Sequence, residues 1–502
     1  MPQKNRYILV IILIATGLGI LGFASPNNLD NRDQALQGLY VIDIFYNGHY
    51  ILQTEHQDDP ASKPPLYNWL AALASLPFGE VNEFTLRLPS VLAGIGLVVL
   101  TFLLAYELLG AFAALIASLV LMANFHFIKL VITARTDMLL TFFITLAFYS
   151  FYKGYVHKNG RYYILAWVAI ALGTLTKGFI AIALPLAIIF IYLAAVKDLA
   201  HLKRMWLPIS LGFLIWLVLA GGWFLWALKE GRELFWNKIV INEMWERFWG
   251  IGHRSGPEYI RPFYYPAGYL IGKFLPWCLF LPAAIRAVFS EPHGLPCSGK
   301  TAGSSRQQLL FLFVWFSTFL LFFSISAGKR VDYIFPLYPA AAILVAGLWQ
   351  ELIPSATKWF RTTLYITTLG IPLLFKHNRL IKGFVFLLVL VLFVNLGYVF
   401  WGSAEAKTNE GSITKSFCEK TQALIGRQDF YLYNVPNSVY FYMKRNDPAL
   451  RDGEAEHLLS QGNYLITSKS ALNSLAAKDY EIVLESAAIP EKGAYLLLKP
   501  AH

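Results

Sequence analysis

The chain has 502 residues, of which 56% are hydrophobic and 15% charged, and a formal net charge of +11. So apolar a composition excludes a soluble enzyme with one anchor and implies a chain that crosses the membrane many times. The surplus bases are scattered over short connections (Lys4/Arg6, Lys153/Lys158/Arg161, Lys197/Lys203/Arg204, Arg286/Lys300/Arg306). These alternate with acidic or mixed connections, so the charge reports membrane orientation and not a nucleic-acid partner.

In chain order, residues 7–24 are long and apolar enough for a first span. A cleaved leader is the competing reading, since Phe23-Ala24-Ser25 is small enough to cut. Gly17-Leu18-Gly19-Ile20-Leu21-Gly22 matches a dinucleotide-binding pattern, with Asp43 downstream. Its glycines lie inside one apolar run, where close helix packing is the better reading. The amino terminus is expected inside and the next loop outside. That loop, residues 25–85, holds eight acids (Asp30, Asp33, Asp43, Glu55, Asp58, Asp59, Glu80, Glu83) against Arg32 and Lys63. Within it, Lys63 precedes Pro64-Pro65, which enforce an extended approach and a helix start at Leu66. A snorkelling anchor is the plain alternative for Lys63, and a solvated carboxylate the plain alternative for Asp33.

Further spans are expected at residues 86–108, 112–128, 138–152, 163–176, 179–196, 206–228, 265–288, 309–327, 334–349 and 384–401, roughly eleven to thirteen in all. Arg135 and Asp137 stand at the edge of one of them, costly there unless paired or functional, although Asp137 also suits a helix cap. Lys177-Gly178 reads as an anchor between two apolar runs. A second outer loop, residues 229–264, carries Glu243, Arg247 and His253, and a metal shared by Glu243 and His253 is a weak alternative there. Lys329-Arg330, ahead of Asp332 and Tyr333, are adjacent bases on the outer side and so answer to an anion. Cys278, Cys297 and Cys418 form no CxxC and no expected disulfide.

Residues 403–502 read as a small soluble α/β domain after a membrane domain of residues 1–402. Strand-like runs occur at 430–434, 439–443, 464–467, 481–484 and 495–498, with helical stretches at 414–424 and 470–477. The bases Lys376, His377, Arg379 and Lys382 favour an inner connection, which sends the tail outside.

Taken in order, Asp33, Lys63-Pro64-Pro65-Leu66-Tyr67, Arg87-Leu88-Pro89, Thr136-Asp137-Met138-Leu139, Thr176-Lys177-Gly178, Arg247-Phe248, Pro276-Trp277 and Gly328-Lys329 through Tyr333 and Pro339 form a set. That set resembles the lipid-dependent glycosyltransferases of the C-type membrane fold. The nearest branch is the bacterial one containing the aminoarabinose transferases of lipid A, related to the protein O-mannosyltransferases. The resemblance implies an all-α polytopic bundle in the plasma (inner) membrane with its active site outside. It implies Asp33 as the catalytic acid residue, with Asp137 as a second catalytic candidate. Lys63 and Arg247 would contact the donor phosphate; Lys329, Tyr333, Tyr67, Glu243 and His253 complete the substrate-binding candidates. The sequence departs from the family where Asp33 is followed by Gln34, Ala35 and Leu36, and where Ser62 replaces an acid before Lys63. The expected reaction is inverting transfer of a sugar from a polyprenyl-phosphate donor to a lipid A-type glycolipid, a glycan or a protein, with membrane lipids as partners and no metal or other cofactor. A lipid or glycan flippase is the alternative, and it would place charges mid-span in related halves.

Overall fold

The computed structural model describes residues 3–24, 29, 32–57, 59–250, 260–289, 302–355, 386–397, 410–426, 428–472, 475, 480–489 and 493–500. Helix α1 (Gln3–Ala24) is continuous, and its Gly19 packs closely on Val91, whereas Gly17 has open space beside it. Helix α2 (Arg32–Asn47) follows, then a hairpin of β1 (Thr54–Glu55) and β2 (Asp59–Pro60). Pro65 caps α3 (Leu66–Ser75), as the paired prolines predict. Asn82 and Thr85 form a reciprocal cap at the start of α4 (Glu83–Leu109), which satisfies donors left open at a helix start.

The expected span at 112–128 is broken into α5 (Ala111–Met122) and α6 (Phe125–Val131), bent by 70°. Asn124 makes the corner: its side chain accepts from the His126 amide at 2.9 Å and donates to the Lys273 carbonyl at 2.8 Å. Helices α7 (Thr136–His157), α8 (Gly160–Lys177) and α9 (Ile180–Ala195) follow. Gly154 of α7 lies under the Tyr163 ring of α8, a close approach that a larger residue would prevent.

Among the described residues, six helices are long and apolar enough to cross a membrane, or eight if each bent pair is one span. The remaining expected spans fall on short, bent or partly described stretches. Helix α9 has only 16 residues, the span expected at 265–288 is bent by 110°, and only Phe386–Gly397 of the last expected span is described. The second outer loop also differs from expectation. Its first twenty residues are helical, continuing from Trp206 through a kink at Arg232 (φ +48°) into a π-helical segment, Trp236–Glu246.

The tail carries a four-stranded sheet of β3 (Phe430–Tyr433), β4 (Tyr464–Ser468), β5 (Tyr480–Glu485) and β6 (Tyr495–Pro500), in the order β3-β4-β6-β5. The pair β3/β4 is parallel and the other two pairs are antiparallel. One expected strand, 439–443, is instead part of the helix Asn437–Tyr442. That helix is buried on every face, so its apolar run has no periodicity to distinguish it from a strand. The run expected as a helix at 470–477 lies partly outside the described residues. Cys278 and Cys418 are unpaired thiols among the described residues, and Cys297 lies outside them.

The tail domain packs on the first loop. Phe441 lies over Gly38 of α2, Lys415 pairs with Glu83 at 2.8 Å, and the Leu29 amide donates to the Tyr442 hydroxyl at 3.1 Å. Asn446 accepts from the His56 amide at 2.8 Å and donates to the Thr54 carbonyl at 3.0 Å. His56 and Gln57 both have positive φ, which non-glycine residues hold only where their surroundings enforce it. We expect Asn446→Ala to destabilise the protein by about 1–3 kcal/mol, because it leaves two hairpin backbone groups without their partner. Thermal unfolding in detergent checks this; an unchanged Tm would show that the hairpin holds its shape alone.

Candidate active site

Six parts of the chain meet over a hollow of about 510 Å3. The first turn of α2 brings Asp33, and the hairpin and following prolines bring Glu55, Asp59, Ser62 and Lys63. Arg135-Thr136-Asp137 stand at the start of α7, and Lys177 at the end of α8. The π-helical segment and its continuation supply Lys238, Glu243 and Arg247, and a last loop supplies Arg330 and Tyr333. A lysine at a helix C-terminus, like Lys177, lies favourably in the field of the helix dipole. Among the described residues the lining holds seven cationic side chains and five carboxylates. The hollow is therefore polar, internally paired and net positive.

Its acidic half is organised by Arg135. This guanidinium meets Asp33 Oδ2 at 3.1 Å, Asp137 Oδ2 at 3.4 Å and Asp332 Oδ2 at 2.7 Å. Burial opposes its charge, but Asp137, Asp332 and Asp33 together hold its pKa above the ordinary value. Arg330 meets the same Oδ2 of Asp33, and Lys177 pairs with Asp137 Oδ1. The Lys177 ammonium also lies 4.7 Å from the centre of the Tyr333 ring. Behind this layer, His126 Nε2 is 2.9 Å from Asp332 Oδ1, and its Nδ1 is 3.2 Å from the Tyr338 hydroxyl.

In the basic half, Glu243 Oε2 receives Lys63 Nζ at 2.6 Å and also Arg247 Nη1. Arg247 Nη1 donates in addition to the Tyr333 hydroxyl at 3.3 Å, which links the two halves. Lys238 pairs with Asp59 on the neighbouring wall.

Of the residues singled out in the sequence, Asp33, Asp137, Lys63, Arg247, Glu243 and Tyr333 line this one hollow. Tyr67 does not. It is fully buried, donates to the Leu86 carbonyl at 2.9 Å and meets Ser90 Oγ at 3.0 Å, so it braces α3 against α4. Lys329 also lies off the hollow, donating to the carbonyls of Arg261 and Ser326, and burial lowers its pKa. The recess beside it has about 10 Å3, room for one water at most. Its neighbour Arg330 is the cation that reaches the hollow. His253 lies outside the described residues. Among the described residues no three His, Cys, Asp or Glu side chains group as metal ligands.

Sequence reasoning passed over Lys177, assigned to anchoring, together with Lys238, Asp332 and His126. Lys177 and Lys238 carry no local signature, and their partners Asp137 and Asp59 are 40 and 179 residues away. Asp43 shows the opposite case. It is wholly buried and accepts from the Thr54 amide at 2.8 Å and from Asn47 at 2.9 Å, so this loop acid shapes the turn before the hairpin.

The family model for dolichyl-phosphate-mannose-protein mannosyltransferases matches residues 62–226. An uncharacterized protein of Aquifex aeolicus is 31% identical over 393 residues, covering 77% of this chain and 72% of that one. The undecaprenyl phosphate-alpha-4-amino-4-deoxy-L-arabinose arabinosyl transferase 1 of Proteus mirabilis is 30% identical over 299 residues, which cover 58% of this chain and half of the relative's length. Among solved structures, ArnT from Cupriavidus metallidurans bound to undecaprenyl phosphate superposes with a TM-score of 0.76 at 18% identity, over 98% of both chains. That likeness extends to the tail and its sheet.

Replacing Arg135 by Gln leaves three carboxylates short of their shared cation. We expect a loss of about 3–5 kcal/mol, the usual cost of breaking a buried ion pair from one side. A Tm within a degree of the parent would show that Arg330 and Lys177 suffice without it.

Proposed function

We propose that this chain belongs to the lipid-dependent glycosyltransferases of the C-type membrane fold and moves a sugar from a polyprenyl phosphate to an acceptor outside the cytoplasm by inverting displacement. The observation that carries this reading is the division of one hollow into two chemistries. Lys63 and Arg247 converge on a single oxygen, in the way that would hold a phosphate. Asp33 faces the same space from the opposite bank, steadied by Arg135 and Arg330.

As the anomeric bond breaks, a phosphodiester becomes a monoester and negative charge grows on the leaving oxygen. Fixed cations aimed at that oxygen lower the barrier because they need no reorganisation during the step. Asp33 takes the proton of the acceptor hydroxyl, a role worth about 10²–10⁴ in rate. Asp137 holds Lys177 against Tyr333 and keeps a further ammonium on the hollow. A glycolipid, a glycan or a protein with a free hydroxyl fits the acceptor side. The site lies on the outer face of the plasma membrane in this reading. The acidic first loop and the bases in the other connections support that placement, and the tail, packed on the first loop, lies on the same side.

Asp33→Asn is expected to abolish transfer while the protein inserts and elutes as the parent does. Membranes carrying the variant would be assayed with a polyprenyl-phosphate sugar; near-parental rates would end the assignment of Asp33 as base. A reporter fused after His502 should be active only outside the cytoplasm. Activity inside would reverse the proposed orientation.

A further inference from the structure

We infer that Glu243 is a built-in stand-in for the donor's phosphate, holding Lys63 and Arg247 while the hollow is empty and displacing the lipid phosphate when transfer is complete. The inference rests on the proposed reaction and adds to it the group that governs product release.

The geometry is specific. Both cations meet the same carboxylate oxygen, Glu243 Oε2, although one comes from the first loop and the other lies four residues beyond Glu243. Two cations from separate segments meeting one anionic oxygen is the arrangement that a phosphate oxygen would take up. The Lys63, Glu243 and Arg247 side chains are only 25%, 13% and 28% exposed, so none of these charges is well hydrated. Removing the anion without a replacement would be costly. A phosphate entering between Lys63 and Arg247 must therefore take the place of the carboxylate. Glu243 sits near the end of the π-helical segment Trp236–Glu246, whose irregular hydrogen bonding is common where a helix serves function.

The reaction supplies a reason for such a competitor. The donor diester carries one negative charge, whereas the monoester product approaches two at neutral pH, its second pKa being about 6. Cations placed to stabilise the growing charge bind the product more tightly than the donor. A tethered carboxylate offsets this, because the cations return to a partner as soon as the product leaves. Glu243 would thus weaken ground-state binding and speed turnover, which is where binding energy is best withheld.

The test measures undecaprenyl phosphate binding to the full-length protein in nanodiscs, together with first-turnover and steady-state rates. Glu243→Gln keeps the shape and removes the charge. It is expected to bind undecaprenyl phosphate at least about tenfold tighter, because a charge-assisted hydrogen bond to each cation no longer competes. Its first turnover should be retained and its steady-state rate should fall. Glu243→Asp, which keeps the charge, should stay near the parent, and Glu243→Ala carries the expectation if the amide is not tolerated. Binding equal to or weaker than the parent's in the neutral variants would overturn the inference and make Glu243 a brace for Lys63. A different outcome would strike the underlying reading: the parent and Lys63→Ala binding undecaprenyl phosphate equally poorly would remove the phosphate site itself.

Discussion

Charge compensation around Arg135 is the constraint on which the arrangement of the hollow depends. Three aspartates from three separate segments, Asp33, Asp137 and Asp332, share one guanidinium at the edge of a low-dielectric bundle. A buried carboxylate in such a place is costly unless it is paired. Their pairing fixes the first turn of α2, the start of α7 and the loop bearing Tyr333 relative to one another. The position of Asp33 is thus a property of the network and not of its own loop. His126 extends the same logic inward, since Asp332 is aimed by a buried imidazole itself placed by the capped corner at Asn124.

The two halves of the hollow differ in what their pairs come from. In the acidic half the pairs join the starts of α2 and α7 to the loop bearing Tyr333, and Lys177 joins α8 to α7. In the basic half the pairs run between a proline-stiffened loop and a π-helical segment. In the proposed reaction the first bank would face the acceptor and the second, whose cations already share an anion, the donor phosphate. Tyr333 spans them, with its ring beside Lys177 and its hydroxyl accepting from Arg247.

Much of this was legible in the residues. Local rules located the helix start after Pro65, the unbroken helix through the glycines of α1 and the α/β character of the tail. Asp33, Lys63, Asp137 and Arg247 were found through the order of short motifs, and their meeting in one hollow follows from the fold. What stayed hidden was pairing over long sequence separations. Nothing near Lys177 distinguishes a membrane anchor from a site cation, because the distinction lies in Asp137 on another helix. Lys329 and Arg330 show the same limit at single-residue scale: two adjacent bases imply an anion, but backbone direction decides which one reaches it. Tyr67 lies in a motif and next to the right prolines, yet helix periodicity turns it inward to Ser90.

The tail's place in this scheme follows from the hairpin. The Asn437 side-chain oxygen accepts from His56 Nε2 at 3.1 Å, and its amide nitrogen donates to Glu55 Oε1 at 2.9 Å. One asparagine of the tail therefore orders both the turn and a carboxylate on the hollow's wall. Asn446 secures the backbone on either side of the same carboxylate. The chain from Glu55 through Asp59 to Lys63 spans only a few residues, so fixing the hairpin narrows the positions open to the Lys63 ammonium. The tail, remote in sequence from the first loop, thus acts as a wall against which Lys63 is set. That dependence explains why the tail closes over α2 through Phe441 and Gly38, where any side chain larger than hydrogen would hold the two apart.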